Sequence, residues 1–421
     1  MRILRPATRY VFNATGEEVK AERYWNWRHE PKLNRSYEDT VAEFGGVFKT
    51  VMRDQLREGL IAVPISGGLD SRCTVAAING SGTQRQALWS YSYGYSDNSV
   101  ETKIARKVAA ARDLRMDSFT TKPYLFEHLG RVLACVEGFQ DLTQCRQAAV
   151  TQNIATHADF IIAAHWGDVW LDTTGLAGES PSPPAGATEH ALNKMAKKGR
   201  AWLLENVCAP KLGQEKPEAV LRQFVTEGMK PLTHIEDPDF RVKAYKTDNW
   251  SFRWTVSSLR MFQAAAFPRL PFYDTRLADF FCTVPSAFVS GRRLQIDYLK
   301  RFAPDLARVT WQPYDANLYH YQHFDSWQLP RRAVKKAWRM LSGRKIIERN
   351  WEVQFGGPGG EAGLSHWLLR PGLRIHDLVS RKKIATLLEN FREDPLKQGR
   401  GYTVSMLLTF SAWLESESHG C

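Results

Sequence analysis

The sequence predicts an α/β fold built on a parallel twisted sheet with a largely helical C-terminal region, and three observations carry that reading. Between residues 58 and 175, short apolar runs of strand character alternate with segments whose apolar residues recur at helical spacing. This order places helices on both faces of a parallel sheet. The apolar run LIAVPI, 60–65, breaks at once into a glycine pair and then a helical pattern, which is a strand–turn–helix unit. Beyond residue 175 the spacing becomes mostly helical, as in VSSLRMFQAAAF and VSMLLTFSAWLE.

Each element follows in order. Residues 7–26 read as a hairpin, two β-prone stretches around Asn-Ala-Thr-Gly. Val41, Phe44, Val47, Phe48, Val51, Met52 and Leu56 fall at three- and four-residue steps and predict an amphipathic helix. LIAVPI is a buried strand, and 71–78 is a helix ended by Asn79-Gly80. Strands follow at 87–93, 117–121 and 159–166, with a helix through Val100, Ile104 and Val108. GLAGESPSPPAG, 175–186, has the composition of a loop or lid. With 421 residues the chain exceeds one usual core. The expected division is a hairpin and leading helix at 1–57, an α/β domain at 58–175 and a mainly helical region at 176–421.

Composition narrows the class. Hydrophobic residues make up 43% and charged residues 24%, the balance of a globular protein. No apolar run reaches membrane-spanning length, and MRILRPATRY lacks the apolar stretch of a secretory signal. Cysteines 73, 135, 145, 208, 282 and 421 lie far apart, which argues for a reducing cytoplasm over a disulfide framework or zinc site. The net charge of +12 is densest at 331–345, RRAVKKAWRMLSGRK. That stretch reads as a solvated helix face, with weak attraction to an anionic membrane surface as the sharper alternative. No nucleic-acid module accompanies it, so a nucleic-acid partner is not expected.

Chemistry concentrates in VPISGGLDSRC, 63–73. Adjacent glycines between a strand and a helix let backbone N–H groups approach a phosphate, and the helix N-terminus favours the same anion. Ser66 and Ser71 add hydroxyls, and Asp70 is placed to hold a magnesium ion. The loop has no lysine where a Walker loop carries one, which suits a grip on pyrophosphate more than transfer at the γ position.

SGGLDS resembles the pyrophosphate loop of the ATP pyrophosphatases, and further stretches narrow the resemblance to the asparagine synthetase family. RLPFYDTRLADFFCTVP, 269–285, is similar to that family's Arg-x-Pro-Phe-Leu-Asp element, and AHWGD, 164–168, to its Gly-His-Gly-Gly-Asp loop. YVFNATGEEVKAERYW, 10–25, resembles the segment joining glutaminase and synthetase domains. The resemblance implies the adenine nucleotide alpha hydrolase-like (PP-loop, Rossmann-like) fold and an AMP-forming carbon–nitrogen ligase using ATP and Mg2+. By it, Ser66, Gly67, Gly68, Asp70 and Ser71 bind pyrophosphate and metal, and Asp168 is the second metal ligand. Ile65, Tyr93, Ala163 and Ala164 match positions beside adenosine. Arg269 and Asp274 read as architectural, a buried ion pair.

Three departures qualify the resemblance. Arg2 follows Met1 where the family has a nucleophilic cysteine, and the glutaminase domain is missing, so nitrogen is expected from ammonia, an amine or a separate glutaminase subunit. Phe267 stands where the family has a glutamate two residues before the motif arginine, which removes a proton acceptor. The family's Asp-Glu pair reads Asp168-Val169, and in GRRLQIDYLKR the place of its pyrophosphate lysine falls to Arg292, Arg293 or Lys300. Aspartate is the default acceptor carboxylate. The alternatives are amidation of a uronic acid of a surface polysaccharide, intramolecular amide closure, and a nucleotide-binding remnant without catalysis.

Overall fold

The structure, a computed structural model, describes residues 4–78, 87–96, 99–177, 184–196, 198–251, 253–324, 326–327, 329–330, 333–334 and 347–416. The helix stop at Asn79-Gly80, the middle of the 175–186 loop and all of the basic stretch 331–345 except 333 and 334 lie outside these residues.

At the amino-terminal end, β1 (Thr8–Phe12) and β2 (Glu18–Arg23) form the antiparallel hairpin that the turn residues predict. The Asn13 side-chain oxygen accepts the N–H groups of Thr15 and Glu17, and Gly16 takes φ +82° to close the turn. Helix α1 (Tyr37–Gln55) starts where Ser36 caps the Asp39 N–H, with Glu38 and Asp39 facing the positive end of the helix dipole. Phe44, Phe48, Val51 and Met52 on its inner face are fully buried.

A five-stranded parallel sheet holds the centre. Its strands are β3 (Ile61–Pro64), β4 (Leu88–Gly94), β5 (Met116–Thr120), β6 (Phe160–Ile162) and β7 (Phe267–Arg269), in the spatial order β5-β4-β3-β6-β7. Ile61, Ala62 and Val63 of the central strand are buried on both faces, as a parallel strand between helical layers requires. Helices α2 (Asp70–Ile78), α3 (Val100–Ala110), α4 (Leu129–Val136) and α5 (Thr151–His157) follow in the chain, and α2 and α3 make the crossovers to β4 and β5. From β3 the chain builds outward through β4 and β5 on one side and through β6 and β7 on the other. A topological switch point therefore lies between β3 and β6, where open α/β sheets open a crevice at the carboxyl ends of their strands.

Two expectations change. The fourth strand ends at Ile162 instead of running to 166, because pairing to β3 and β7 covers only Phe160–Ile162. The fifth strand comes from the region read as helical: helix Thr255–Gln263 stops short, and the last residue of VSSLRMFQAAAF opens β7. Residue 175 therefore bounds neither the sheet nor its core, since one apolar cluster joins Val41, Ile61 and Trp170 to Phe240, Phe281 and Leu306.

The helices Gly357–Leu369, Arg381–Glu393 and Arg400–Ser416 pack around a second core that includes Leu125, Leu142, Leu368, Leu388 and Leu407. Buried amides join this layer to 122–145. Asn350 donates to Tyr124 Oη and Thr143 O, at 2.9 Å each, and Gln354 Oε1 accepts from the N–H groups of Tyr124 and Leu125. Among the described residues, Cys73, Cys135, Cys145, Cys208 and Cys282 are free, and no helix is long and apolar enough to cross a membrane.

Candidate functional site

The loop after β3 and the loop after β6 meet at the switch point. Ile65 keeps the first loop in register by donating its N–H to Tyr91 O at 2.8 Å. Ser66 and Ser71 then close the turn: the Ser66 N–H donates to Ser71 Oγ (3.1 Å), the two hydroxyls lie 3.0 Å apart, and the Gly68 N–H donates to Ser66 Oγ (3.1 Å). The Gly67 N–H has no acceptor among the described residues. A Cβ on Gly67 would overlap the side chain of Gln312, which lies over the loop, so glycine is required there by close approach.

Helix α2 carries Asp70 in its first turn. Directly behind it, Arg72 is fully buried and donates to three backbone carbonyls, Leu306 (3.3 Å), Val309 (2.8 Å) and Thr310 (2.8 Å). This fixes α2 to the segment that brings Gln312 over the glycine loop.

The second loop leads into the short helix α6 (Gly167–Trp170) through Trp166, which adopts φ +77° and ψ −4°. A side chain in this left-handed region stores strain of roughly 1–3 kcal/mol. The Trp166 indole N–H donates to Thr247 Oγ1 at 3.1 Å, and the ring is buried. Gly167 packs against Asp70 so closely that an added Cβ would lie 2.9 Å from the carboxylate carbon and from Phe272. Asp168, the next residue, is exposed in the first turn of α6.

The two carboxylates feel each other. Burial raises the Asp70 pKa above the usual carboxylate value, the Arg292 charge lowers it and the Asp168 charge raises it. Arg292 Nη1 donates to Asp70 Oδ1 at 3.0 Å, and Gln295 Nε2 donates to the same oxygen at 2.9 Å. Arg292 Nε lies 3.6 Å from Asp172. Like Trp166, Arg292 has positive φ, +61°, following Gly291 at +60°, and this kink turns its side chain toward Asp70 at the start of helix Arg293–Phe302.

Of the three basic residues weighed for the pyrophosphate role, the structure brings Arg292 alone to the loops. Arg293 is placed elsewhere, its guanidinium 3.9 Å from the Tyr37 ring centroid and 3.9 Å from Asp297. Lys300 pairs with Asp297 at 3.3 Å. The helical twist sends neighbouring positions to different faces.

The residues matched to adenosine divide. Ile65 and Ala163 are buried core residues, and Ala164 packs partly against the core. Tyr93 lies at the carboxyl end of β4, with the Arg146 guanidinium 5.6 Å from its ring. Arg269 and Asp274 do not pair. Arg269 stacks 3.5 Å from the Phe160 ring centroid and donates to Gln55 O, while Asp274 is bridged by Arg276, which also reaches Asp54. Phe267 is 61% exposed at the first residue of β7, level with Phe160. It therefore sits at the amino-terminal edge of the sheet, and the proton-acceptor argument built on this position does not reach the loops.

Sequence reasoning missed two neighbours of Asp168. Burial lowers the His165 pKa to about 4, against an opposing contribution from Asp168. Burial also lowers the Lys246 pKa, again opposed by Asp168. His165 stood within the quoted AHWGD motif, whereas Lys246, 78 positions after Asp168, had no local signal. Below the site, Asp239 and Lys243 form a buried pair at 2.9 Å, and Asp239 accepts the Thr174 N–H and hydroxyl, anchoring the start of the 175–186 loop.

Two carboxylates on facing loops, with backbone donors beside them, suit a hard divalent cation and a polyphosphate. Mg2+ commonly takes one or two carboxylates and completes its shell with water and phosphate oxygens. Compared with known proteins, the chain matches no protein-family model and no curated protein.

Proposed function

We propose that the chain is an ATP-dependent, AMP-forming amide ligase of the asparagine synthetase type, with the PP-loop variant of the Rossmann-like fold. The observation that supports this reading is the meeting of the SGGLDS loop and the Gly167-Asp168 turn, with Asp70 and Asp168 close enough to interact beside the glycine pair. Trp166 adds support. It occupies a glycine position of the family's Gly-His-Gly-Gly-Asp loop and takes the left-handed conformation that glycine adopts freely.

Asp70 and Asp168 would hold Mg2+, which supplies charge neutralisation at the departing phosphate. Arg292 and Gln295 both donate to Asp70 Oδ1, which fixes the rotation of the carboxylate. The Gly67 N–H, without an acceptor among the described residues, and the positive end of α2 would favour the negative charge that builds on the leaving pyrophosphate. The acceptor carboxylate, aspartate by default, attacks the α-phosphorus, forming an acyl–phosphate bond as the bond between the α-phosphorus and the bridging oxygen to the β-phosphorus breaks. Ammonia or an amine then attacks the acyl carbon, giving the amide and AMP.

Exchange of labelled pyrophosphate into ATP tests this reading when screened with aspartate, with uronic acids and with linear substrates carrying both a carboxylate and an amine. Each acceptor that drives exchange selects its own variant of the reaction, and no exchange with any of them counts against the reading. The 3.0 Å Arg292–Asp70 pair favours a second reading, a nucleotide-binding chain without turnover in which arginine takes the place of metal. Metal-independent ATP binding without exchange would select it.

A further inference from the structure

The strap that carries Gln312 runs on into the turn Leu318–His323, and this turn is firmly seated. Leu318 and Phe324 are buried, and the Phe324 ring centroid lies 4.2 Å from that of Tyr314 and 5.9 Å from that of Trp311. The apolar side chains that follow are not covered. Trp327 is 56% exposed, Leu329 50% and Val334 69%, and Tyr319 on the turn itself is exposed as well. His320 and His323 hold Trp327 to the turn, their ring centroids 6.0 and 5.8 Å from that of the indole. An anchored element thus presents apolar surface to water, where an ordinary core would have drawn it in.

Cations border the same aromatic rings. Lys300 Nζ lies 4.1 Å from the Tyr321 ring and 5.7 Å from the Tyr319 ring, and the Arg308 guanidinium lies 5.6 Å from Tyr319. Lys300 also pairs with Asp297, whereas Arg308 donates to Pro304 O at 3.5 Å and has no ion pair among the described residues. In the sequence, the stretch from Arg331 to Lys345 adds seven basic residues and no acidic one.

This combination selects the chemistry of a partner. Indole and phenol rings favour the headgroup level of a bilayer, where one end of the ring is wet and the other apolar. Exposed aliphatic side chains beside them gain by entering the acyl boundary, and Lys and Arg are drawn to anionic headgroups. A nucleic-acid strand would use the rings and the cations but would leave Leu329 and Val334 in water.

We propose that Trp327, Leu329 and Val334, bordered by Lys300 and Arg308, form an interfacial docking surface for an anionic lipid bilayer. The inference goes beyond the ligase reading and does not depend on it.

Flotation of the full chain with vesicles of phosphatidylcholine alone, or with about 30% phosphatidylglycerol added, tests the surface. Wild type is expected to float with the anionic vesicles and not with the neutral ones. Its partition should fall about tenfold between low salt and about 0.5 M salt. The triple variant Trp327→Ser, Leu329→Ser, Val334→Ser keeps every charge and should lower partition about tenfold or more. Its melting temperature should not change, because all three side chains are exposed. Arg308→Gln should lower partition about threefold. The proposal is overturned if the triple variant floats like wild type, since charge alone would then account for binding. It is overturned equally if wild type ignores anionic vesicles, and binding to poly(U) in that case would assign the surface to nucleic acid. Pyrophosphate exchange with a soluble acceptor is a separate readout and should stay at the wild-type level in the triple variant.

Discussion

The two edges of the sheet solve opposite problems. At the amino-terminal edge, Arg269 lies on Phe160 and donates to Gln55 O, Arg276 bridges Asp274 and Asp54, and Phe267 faces solvent. The charges named there have partners, and the positive-φ residues in the turns entering β3 and β5, Gly59 and Asp113, lie away from them in the chain. At the carboxyl edge, Asp168 adds to the cost of ionising Asp70, Lys246 has neither a hydrogen bond nor an ion pair among the described residues, and Trp166 and Arg292 hold left-handed backbone. Conflict of this kind persists where surrounding structure enforces it, and it collects at functional sites. The contrast marks the carboxyl edge as the candidate site without use of a motif.

Breaking the carboxyl edge should produce the largest effects. Asp70→Asn keeps the side-chain volume and removes the charge, and is expected to lower pyrophosphate exchange by about two orders of magnitude or more. Near wild-type exchange in that variant would sink the metal argument. Lys243→Met strands the Asp239 carboxylate in a buried setting and should cost about 3–5 kcal/mol of stability in a denaturant titration.

A smaller effect sharpens the comparison through pH. The folded state holds the His165 pKa near 4, below an unfolded value of about 6.5. The neutral ring is favoured in the fold, so this contribution is fully present above about pH 6.5 and is lost as pH falls toward 4. Wild type should lose roughly 1–3 kcal/mol more than His165→Asn across that window. Equal losses in the two proteins would contradict the assignment. Smallest of all, Phe267→Ala at the opposite edge should change stability by less than about 1 kcal/mol and leave exchange unchanged. A large fall in exchange would bring that position back to the site.

Helix α1 was legible because its apolar residues recur at one helical period, and β3 because it is a short, unbroken apolar run. β7 was not: three residues, one of them proline, follow AAA, and nothing local separates that run from a continuing helix. Asp70 and Asp168 were named from motifs, and the structure brings the two loops that carry them together. Choosing between Arg292 and Arg293 required the left-handed kink at 291–292, a backbone event that a string of Gly-Arg-Arg does not announce. Lys246 depended on a tertiary approach to a loop 78 positions earlier.

Arg72 has a consequence for anyone hoping to transplant this motif. Its guanidinium spans three carbonyls of a distant strap, 306–310, and so the six letters SGGLDS inherit their shape from a residue that no ligand meets. Grafted alone onto another strand and helix, the hexapeptide would arrive without its brace; moved together with Arg72 and the strap, it would keep its contour.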